Sequence, residues 1–399
     1  MRANRLFLLA GDYSGDMHAA KVVNALRALQ PDIQLAAVGG NHLKALQVEM
    51  LSDQSQMGRV GFGAVLGAWY HYRLGQKILK FLDRFKPDAV LLIDYGGFNL
   101  YMAAQLKRRG IRVFYFIPPQ VWASRKGRLQ KIRANVDHVF CIFPFEKPLY
   151  ESCGVPVTYV GHPLIGELPP APQRETFCRE LGLDPERPIV ALMPGSRKLE
   201  IDYLLKAILG SIPLIRHHYP QAQFVLAQAG SLSDDYFLPR FQALWKTVAD
   251  NSPSKPAGAA PLVLKNRNHA LLGVADVMIA ASGTVTLEGA LYDTPMVLMY
   301  KLHPLVYQVV LRLIYLPCMG LPNILTDVNH PIVPELWQTQ VQPSAIAQAV
   351  LPLLEPGSVQ TLRQRNGFAK IRQELNTGGA AQNVAKGILA LLHPESQGL

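Results

Sequence analysis

Apolar residues along this chain gather in short unbroken runs, which alternate with longer stretches where they recur every three or four positions. The runs at 5–10, 34–38, 89–94, 112–117, 138–142 and 157–160 are rich in Leu, Val, Ile, Phe and Ala. Such runs predict strands buried on both faces. Between them, 18–29 and 76–85 have helical spacing, with Ile78, Leu79, Leu82 and Phe85 sharing one side of the second. The rhythm breaks at 166–173, Gly-Glu-Leu-Pro-Pro-Ala-Pro-Gln, which reads as a linker. It then restarts with predicted strands at 188–193, 223–226, 262–264, 276–280 and 296–299 and a helix at 204–216. The tail, 358–392, also has helical spacing. Strands alternating with helices imply a mostly parallel sheet covered on both faces, here twice over. The expected architecture is α/β, with two Rossmann-like domains facing across a cleft. Residues 1–167 form the first, 168–357 the second, and the helices of 358–399 return toward the first.

With 399 residues, 49% hydrophobic and 17% charged, the chain has the length and apolar content for two such cores, and disorder is excluded. Cys141, Cys153, Cys178 and Cys318 are scattered without a CxxC pair, as reduced cytosolic thiols would be. The apolar run 6–10 is too short for a secretory signal, and 305–321 is interrupted by Arg312 and Pro317, so neither a leader nor a spanning helix is expected. The net charge of +11 suits an anionic partner. No nucleic-acid module accompanies it, which leaves an anionic membrane surface or phosphorylated substrates, with nucleic acid not expected.

The chemistry sits at strand ends. Ser282-Gly283-Thr284 follows one predicted strand and opens a helix, whose N-terminus presents unpaired N–H groups to an anion. Glu288, one turn in, is placed for two ribose hydroxyls; the bland alternative is an ordinary capped helix start. Pro194-Gly195-Ser196-Arg197 follows another strand of the same predicted sheet, where an arginine can neutralise a departing diphosphate. Together the two loops favour a nucleotide diphosphate. In the first half, Gly11-Asp12-Tyr13-Ser14-Gly15-Asp16 lacks GxGxxG spacing, and its carboxylates disfavour a dinucleotide. A sugar-binding loop fits better, although Asp16 reads more readily as a helix-start charge. Asp94 ends an apolar strand and is a candidate general base. His162, in Gly161-His162-Pro163, is more often a structural hydrogen-bonder at such a place. No metal-ligand spacing and no DxD motif are present, so neither a metal nor a cofactor is expected. The segment 60–70, with Phe62, Val65, Leu66, Trp69 and Tyr70 beside basic residues at 73–84, would dip into a membrane interface if exposed. Core packing is the safer reading for the similar stretch 303–313.

Taken in order, these motifs resemble the lipid-A-disaccharide synthase family of inverting glycosyltransferases with the GT-B fold. The resemblance runs through Gly11 to Asp16, Ile93-Asp94-Tyr95-Gly96-Gly97-Phe98-Asn99, Pro119-Gln120-Val121-Trp122-Ala123, Phe143-Pro144-Phe145-Glu146, Gly161-His162-Pro163, Pro194 to Arg197, Ala281 to Glu288, and Leu321-Pro322-Asn323. It implies transfer of 2,3-diacylglucosamine from UDP to 2,3-diacylglucosamine 1-phosphate (lipid X), giving a β-1,6 disaccharide 1-phosphate and UDP. It further implies peripheral association with the cytoplasmic face of the inner membrane, and it leaves room for a homodimer. Asp94, Asp12 and Arg197 take catalytic roles by position. Ser196, Arg197, Ser282, Gly283, Thr284, Glu288 and Asn323 fall on the UDP-sugar side, and Gly11, Ser14, Gly15, Asn99 and His162 on the acceptor side. The family usually has Glu where this chain has Asp12, and Ala-Pro-Asp where it has Tyr95-Gly96-Gly97. It also usually has Ser-Pro-Ser-Val-Trp-Ala-Trp where this chain has Pro118-Pro119-Gln120-Val121-Trp122-Ala123-Ser124. Alternative readings are an epimerase or another transferase acting on a UDP-aminosugar, or a non-catalytic relative that binds lipid or nucleotide.

Overall fold

A computed structural model of the chain describes residues 4–53, 64–122, 127–251, 258–304, 306–308 and 317–393, with backbone alone for 64–68. The chain divides into two compact units, one of Met1–Gly166 together with Glu374–Leu399, the other of Glu167–Gln373. The α/β class expected from the alternating pattern is what each unit adopts.

The first unit holds strands β1 (Arg5–Ala10), β2 (Gln34–Gly39), β3 (Glu49–Asp53), β4 (Ala89–Ile93), β5 (Arg112–Phe116), β6 (His138–Cys141) and β7 (Val157–Tyr159). They pair in parallel in the order β3-β2-β1-β4-β5-β6-β7. The central strands β1 and β4 are buried almost end to end, as a parallel strand under helices on both faces must be. β3 escaped the sequence reading because it is a half-exposed edge strand of mixed polarity, Glu-Met-Leu-Ser-Asp. The tail helix Ala380–Leu392, with Val384, Ala385 and Ile388 fully buried, closes this unit by packing beside the helix Tyr13–Leu29.

The tail is pinned where β7 ends. The Thr377 hydroxyl donates to the Val160 carbonyl at 2.7 Å, the Asn383 amide donates to the same oxygen at 3.1 Å, and the His162 N–H reaches the Leu375 carbonyl at 3.3 Å. Gly161 sits between these bonds with φ +87°, and a Cβ there would lie 2.0 Å from the Thr377 hydroxyl oxygen. Gly161→Ala is therefore expected to destabilise the protein by about 1–3 kcal/mol from backbone strain alone, with the overlap adding to it. A urea midpoint unchanged from the parent would refute this account of the junction.

The second unit holds β8 (Ile189–Met193), β9 (Gln223–Gln228), β10 (Leu262–Lys265), β11 (Val277–Ala281), β12 (Met296–Tyr300) and β13 (Glu335–Trp337). The order is β10-β9-β8-β11-β12-β13, again all parallel. The helix Lys198–His218 covers this sheet with Leu204, Leu205, Ile208 and Ile212, and Pro213 is accommodated inside it. In each sheet the strand order reverses once, between β1 and β4 and between β8 and β11. Loops at the carboxyl ends of strands flanking such a reversal splay apart and leave a crevice, which is where open α/β sheets bind ligands.

Candidate functional site

In the second unit the crevice is a cleft of about 250 Å³ at the ends of β8 and β11. Its walls are the loop Gly195-Ser196-Arg197 and the turn Ser282-Gly283-Thr284, which the pairing of Met193 with Ala280 brings side by side. The helix Thr284–Leu291 has no side-chain cap, so its first amides are left for a ligand. A Cβ on Gly283 would meet nothing within 4 Å. The protein's own packing therefore does not demand glycine there, whereas a ligand lying close to the backbone would.

Arg197 is held by a residue that sequence reasoning passed over. The Glu200 carboxylate accepts from the Ser196 N–H at 2.8 Å, the Arg197 N–H at 3.1 Å and the Arg197 guanidinium at 2.7 Å. The signal was present, since a glutamate three positions beyond a helix-capping residue is the spacing that lets it reach back. Gly195, at φ +115°, leaves the space that Glu200 occupies, for a Cβ would lie 2.3 Å from its carboxylate oxygen. Glu288 lines the cleft with its carboxylate 3.4 Å from His269 Nε2, and burial raises its pKa against the opposing pull of that imidazole. Asn268, beside it, also lines the cleft, and its amide oxygen is buried without a hydrogen-bond partner. Asn323 is placed differently. Its amide donates to the Val333 carbonyl and to Glu335, its oxygen accepts from the Val333 N–H, and it is not among the residues lining this cleft.

In the first unit the crevice at β1 and β4 gathers Asp12, Ser14 and Asp94. The strand ends at Ile93, one residue before the expected boundary, and Asp94 and Tyr95 both take left-handed backbone with φ 50°. Two consecutive non-glycine residues in that region are strained, and their carbonyl and amide groups are fixed accordingly. The Asp94 carbonyl accepts from the Asn99 amide at 2.8 Å and from the Tyr115 hydroxyl at 2.8 Å. The Asp94 carboxylate accepts from the Tyr95 N–H at 2.8 Å and from the Ser14 hydroxyl at 3.2 Å. Ser14 lies equally near Asp12, 3.2 Å from its Oδ1, so one hydroxyl proton stands between two carboxylates. Burial, and then the charge of Asp12, raise the Asp94 pKa. Asp12 itself caps the helix Tyr13–Leu29 through the Gly15 N–H at 2.8 Å.

Several expected acceptor-side residues have structural partners. Asn99 is 0% exposed and clamps the end of β4. His162 is buried against Phe143, accepts from the Leu164 N–H at 3.2 Å, and has its pKa lowered to about 3 by burial. Gly11 makes room for Tyr95, whose ring would be 2.1 Å from a Cβ. A Cβ on Gly15 would come within 2.8 Å of Asp12 Oδ1. Asp16 accepts from the amides of Gly40, His42 and Leu43, which makes it the support of the loop after β2. Glu146, also unremarked as a single residue in the sequence, is 1% exposed and accepts from Trp122 Nε1 at 3.0 Å and from the Ile142 and Phe143 amides. Burial raises its pKa to about 7.

Of the expected membrane residues, Trp69 is 57% exposed, stacks on the half-exposed Tyr72, and carries the Arg73 guanidinium over its face at 5.6 Å. Tyr70 is half-buried and packs on the core of its unit. Phe62 and the side chains of Val65 and Leu66 lie outside the described residues. Among the described residues no helix is long and apolar enough to cross a membrane.

Comparison with known proteins gives a consistent result. The profile of the family described as Lipid-A-disaccharide synthetase matches residues 6–386. A lipid-A-disaccharide synthase of Geobacter metallireducens is 38% identical over 97% of both chains. One from Coxiella burnetii is 38% identical over 98% of this chain and 100% of its own. Among solved structures, a UDP-GlcNAc 2-epimerase of Neisseria meningitidis bound to UDP-GlcNAc superposes with a TM-score of 0.60 at 12% identity, over 96% of this chain and 99% of that one. Anabaena HepE in complex with UDP and glucose gives 0.58 at 13% identity, over 98% and 100%. At such identities these two structures speak to the fold alone.

Proposed function

The chain belongs to the lipid-A-disaccharide synthase family, and from that premise we propose how its residues divide the reaction. The enzyme is a glycosyltransferase of lipid A biosynthesis. It transfers 2,3-diacylglucosamine from UDP to 2,3-diacylglucosamine 1-phosphate with inversion, releasing UDP and the β-1,6 disaccharide 1-phosphate. The observation that carries the residue assignment is the uncapped helix at Ser282-Gly283-Thr284 set beside Arg197 in one cleft.

In this reading the second unit binds the donor. The diphosphate lies on the first amides of the helix Thr284–Leu291, with Ser196, Ser282 and Thr284 adding hydroxyls and Arg197 countering the charge that grows on the leaving group. Glu288 takes the ribose hydroxyls. Asn268 offers its unpaired oxygen to a donor N–H of the nucleotide. The first unit takes the acceptor. Asp94 removes the proton of the attacking hydroxyl, and Ser14 and Asp12 hold Asp94 and the acceptor in register. Asn323, whose amide is fully used internally, and His162, whose Nδ1 accepts from the Leu164 N–H, support the loops around these groups. The chain works as a peripheral protein on the cytoplasmic face of the inner membrane, where Trp69, Tyr72 and Arg73 suit an anionic headgroup layer.

Purified protein given UDP-2,3-diacylglucosamine and lipid X in detergent micelles should produce the disaccharide 1-phosphate and UDP in equal amounts. UDP formed without disaccharide, or a 2-epimer formed without acceptor, would overturn the assignment. Asn268→Ala should weaken UDP binding by about 3- to 10-fold, the worth of one net hydrogen bond, without lowering the Tm of the free enzyme, since it removes an acceptor that the free enzyme leaves unpaired. An unchanged affinity would remove Asn268 from the site.

A further inference from the structure

The second unit contains another cavity, of about 650 Å³, on the outer side of the helix Lys198–His218. That volume is in the range of sites that bury an organic ligand. Its floor and sides are mostly apolar, formed by Tyr203, Ala207, Leu214, Val248 and Val341. Lys206 and Lys301 also line it, and among the described residues neither ammonium has an ion-pair or hydrogen-bond partner. The acidic group on the wall, Asp202, is already compensated, since it accepts from the Tyr236 hydroxyl at 2.9 Å and from Arg240 at 3.2 Å. An apolar trough flanked by two uncommitted cations matches a molecule with an alkyl chain and an anionic head.

We propose that this cavity is a binding site for a single anionic amphiphile, seated with its chain along the helix Lys198–His218 and its charged head between Lys206 and Lys301. The site is separate from the donor cleft and shares no lining residue with it. It does not depend on the donor and acceptor assignments made above. Two sources carry this chemistry, an anionic phospholipid of the bilayer and the phosphorylated acyl-sugar that the enzyme handles.

The probe is dodecyl phosphate below its micellar concentration, titrated into the full-length protein by calorimetry. One molecule should bind saturably, and affinity should fall about fourfold for each methylene removed from the chain, the ratio that corresponds to about 0.8 kcal/mol per methylene. The double variant Lys206→Glu/Lys301→Glu should bind at least tenfold more weakly. Thr247→Trp, which places an indole into the trough from the exposed face of the helix Asp234–Asp250, should abolish binding. UDP affinity, as the check that the unit is folded, should be unchanged in both. Displacement of the probe by phosphatidylglycerol vesicles identifies the bilayer as the source, and displacement by lipid X identifies the acyl-sugar. Absence of saturable binding, binding indifferent to both variants while UDP still binds, or displacement by neither competitor would overturn the proposal.

Discussion

Asp94→Asn is expected to lower kcat by about 10²–10⁴-fold, the usual cost of losing a positioned base, while UDP binding is retained and the Tm at neutral pH rises. The network explains why all three should occur together. The asparagine oxygen can keep the bond from the Tyr95 N–H, and the new amide can donate to the Ser14 oxygen. Ser14 is then free to give its proton to Asp12, which already lies 3.2 Å away. No hydrogen bond is lost, so the fold is spared and only the basicity disappears. The stability change follows from the sign of the pKa shift. Burial and the Asp12 charge raise the Asp94 pKa above its ordinary 3.8. A carboxylate raised in the folded state contributes stability below its unfolded pKa and loses that contribution as pH rises through the folded value. At neutral pH the ionised parent is therefore handicapped and the amide is not, and the difference in Tm should vanish in acid. Catalysis runs the opposite way, because the base must be ionised, so kcat/KM of the parent should fall as pH drops through the raised pKa. A variant with near-parental kcat would remove Asp94 from the chemistry. A lowered Tm at neutral pH would mean that the network does not rearrange as described.

Arg197→Ala should reduce kcat by about 10²–10³-fold, comparable to removing one donor aimed at developing negative charge. The guanidinium is 80% exposed, and its ion pair with Glu200 is on the surface, so its removal should leave Tm unchanged. What it loses is specific to the reaction. The leaving group gains charge as the glycosidic bond breaks, so a cation beside it helps the transition state more than the bound donor. UDP-sugar affinity should fall less than kcat for that reason. Arg197→Lys keeps the charge but not the two-pronged donor geometry, and should recover only part of the rate. Steady-state kinetics on both variants test this; equal losses for Lys and Ala would show that charge is not the contribution, and a kcat within about threefold of the parent would show that Arg197 does not act.

The sheets were largely legible in the sequence because a parallel strand buried on both faces is an unbroken apolar run, as at Leu6 to Ala10 and Ala89 to Ile93. β3 and β13 were not, since Glu-Met-Leu-Ser-Asp and Glu-Leu-Trp mix charged with apolar residues at half-exposed positions and leave no such run. The loops that line the crevices were legible as glycine-bearing turns following strands. The residues that hold those loops were harder to find. Tyr115 reaches the Asp94 carbonyl only because the register sets Leu92 opposite it, and nothing in Val-Phe-Tyr-Phe announces that. Asn268 carries no motif; what distinguishes it is an oxygen left unpaired in three dimensions. Asp16 reads in the sequence either as a sugar ligand or as a helix-start charge, and its three amide donors from 40–43 give it a structural task instead.

Because the first unit includes Glu374–Leu399, it cannot be completed on the ribosome until the whole of the second unit has been made. The second unit, encoded entirely between Glu167 and Gln373, is available to fold first, reversing the usual order in which N-terminal domains mature ahead of later ones. Until then the helix Tyr13–Leu29 must wait without the tail helix that packs beside it. During synthesis the first unit is thus the half of the molecule that stays incomplete for longer.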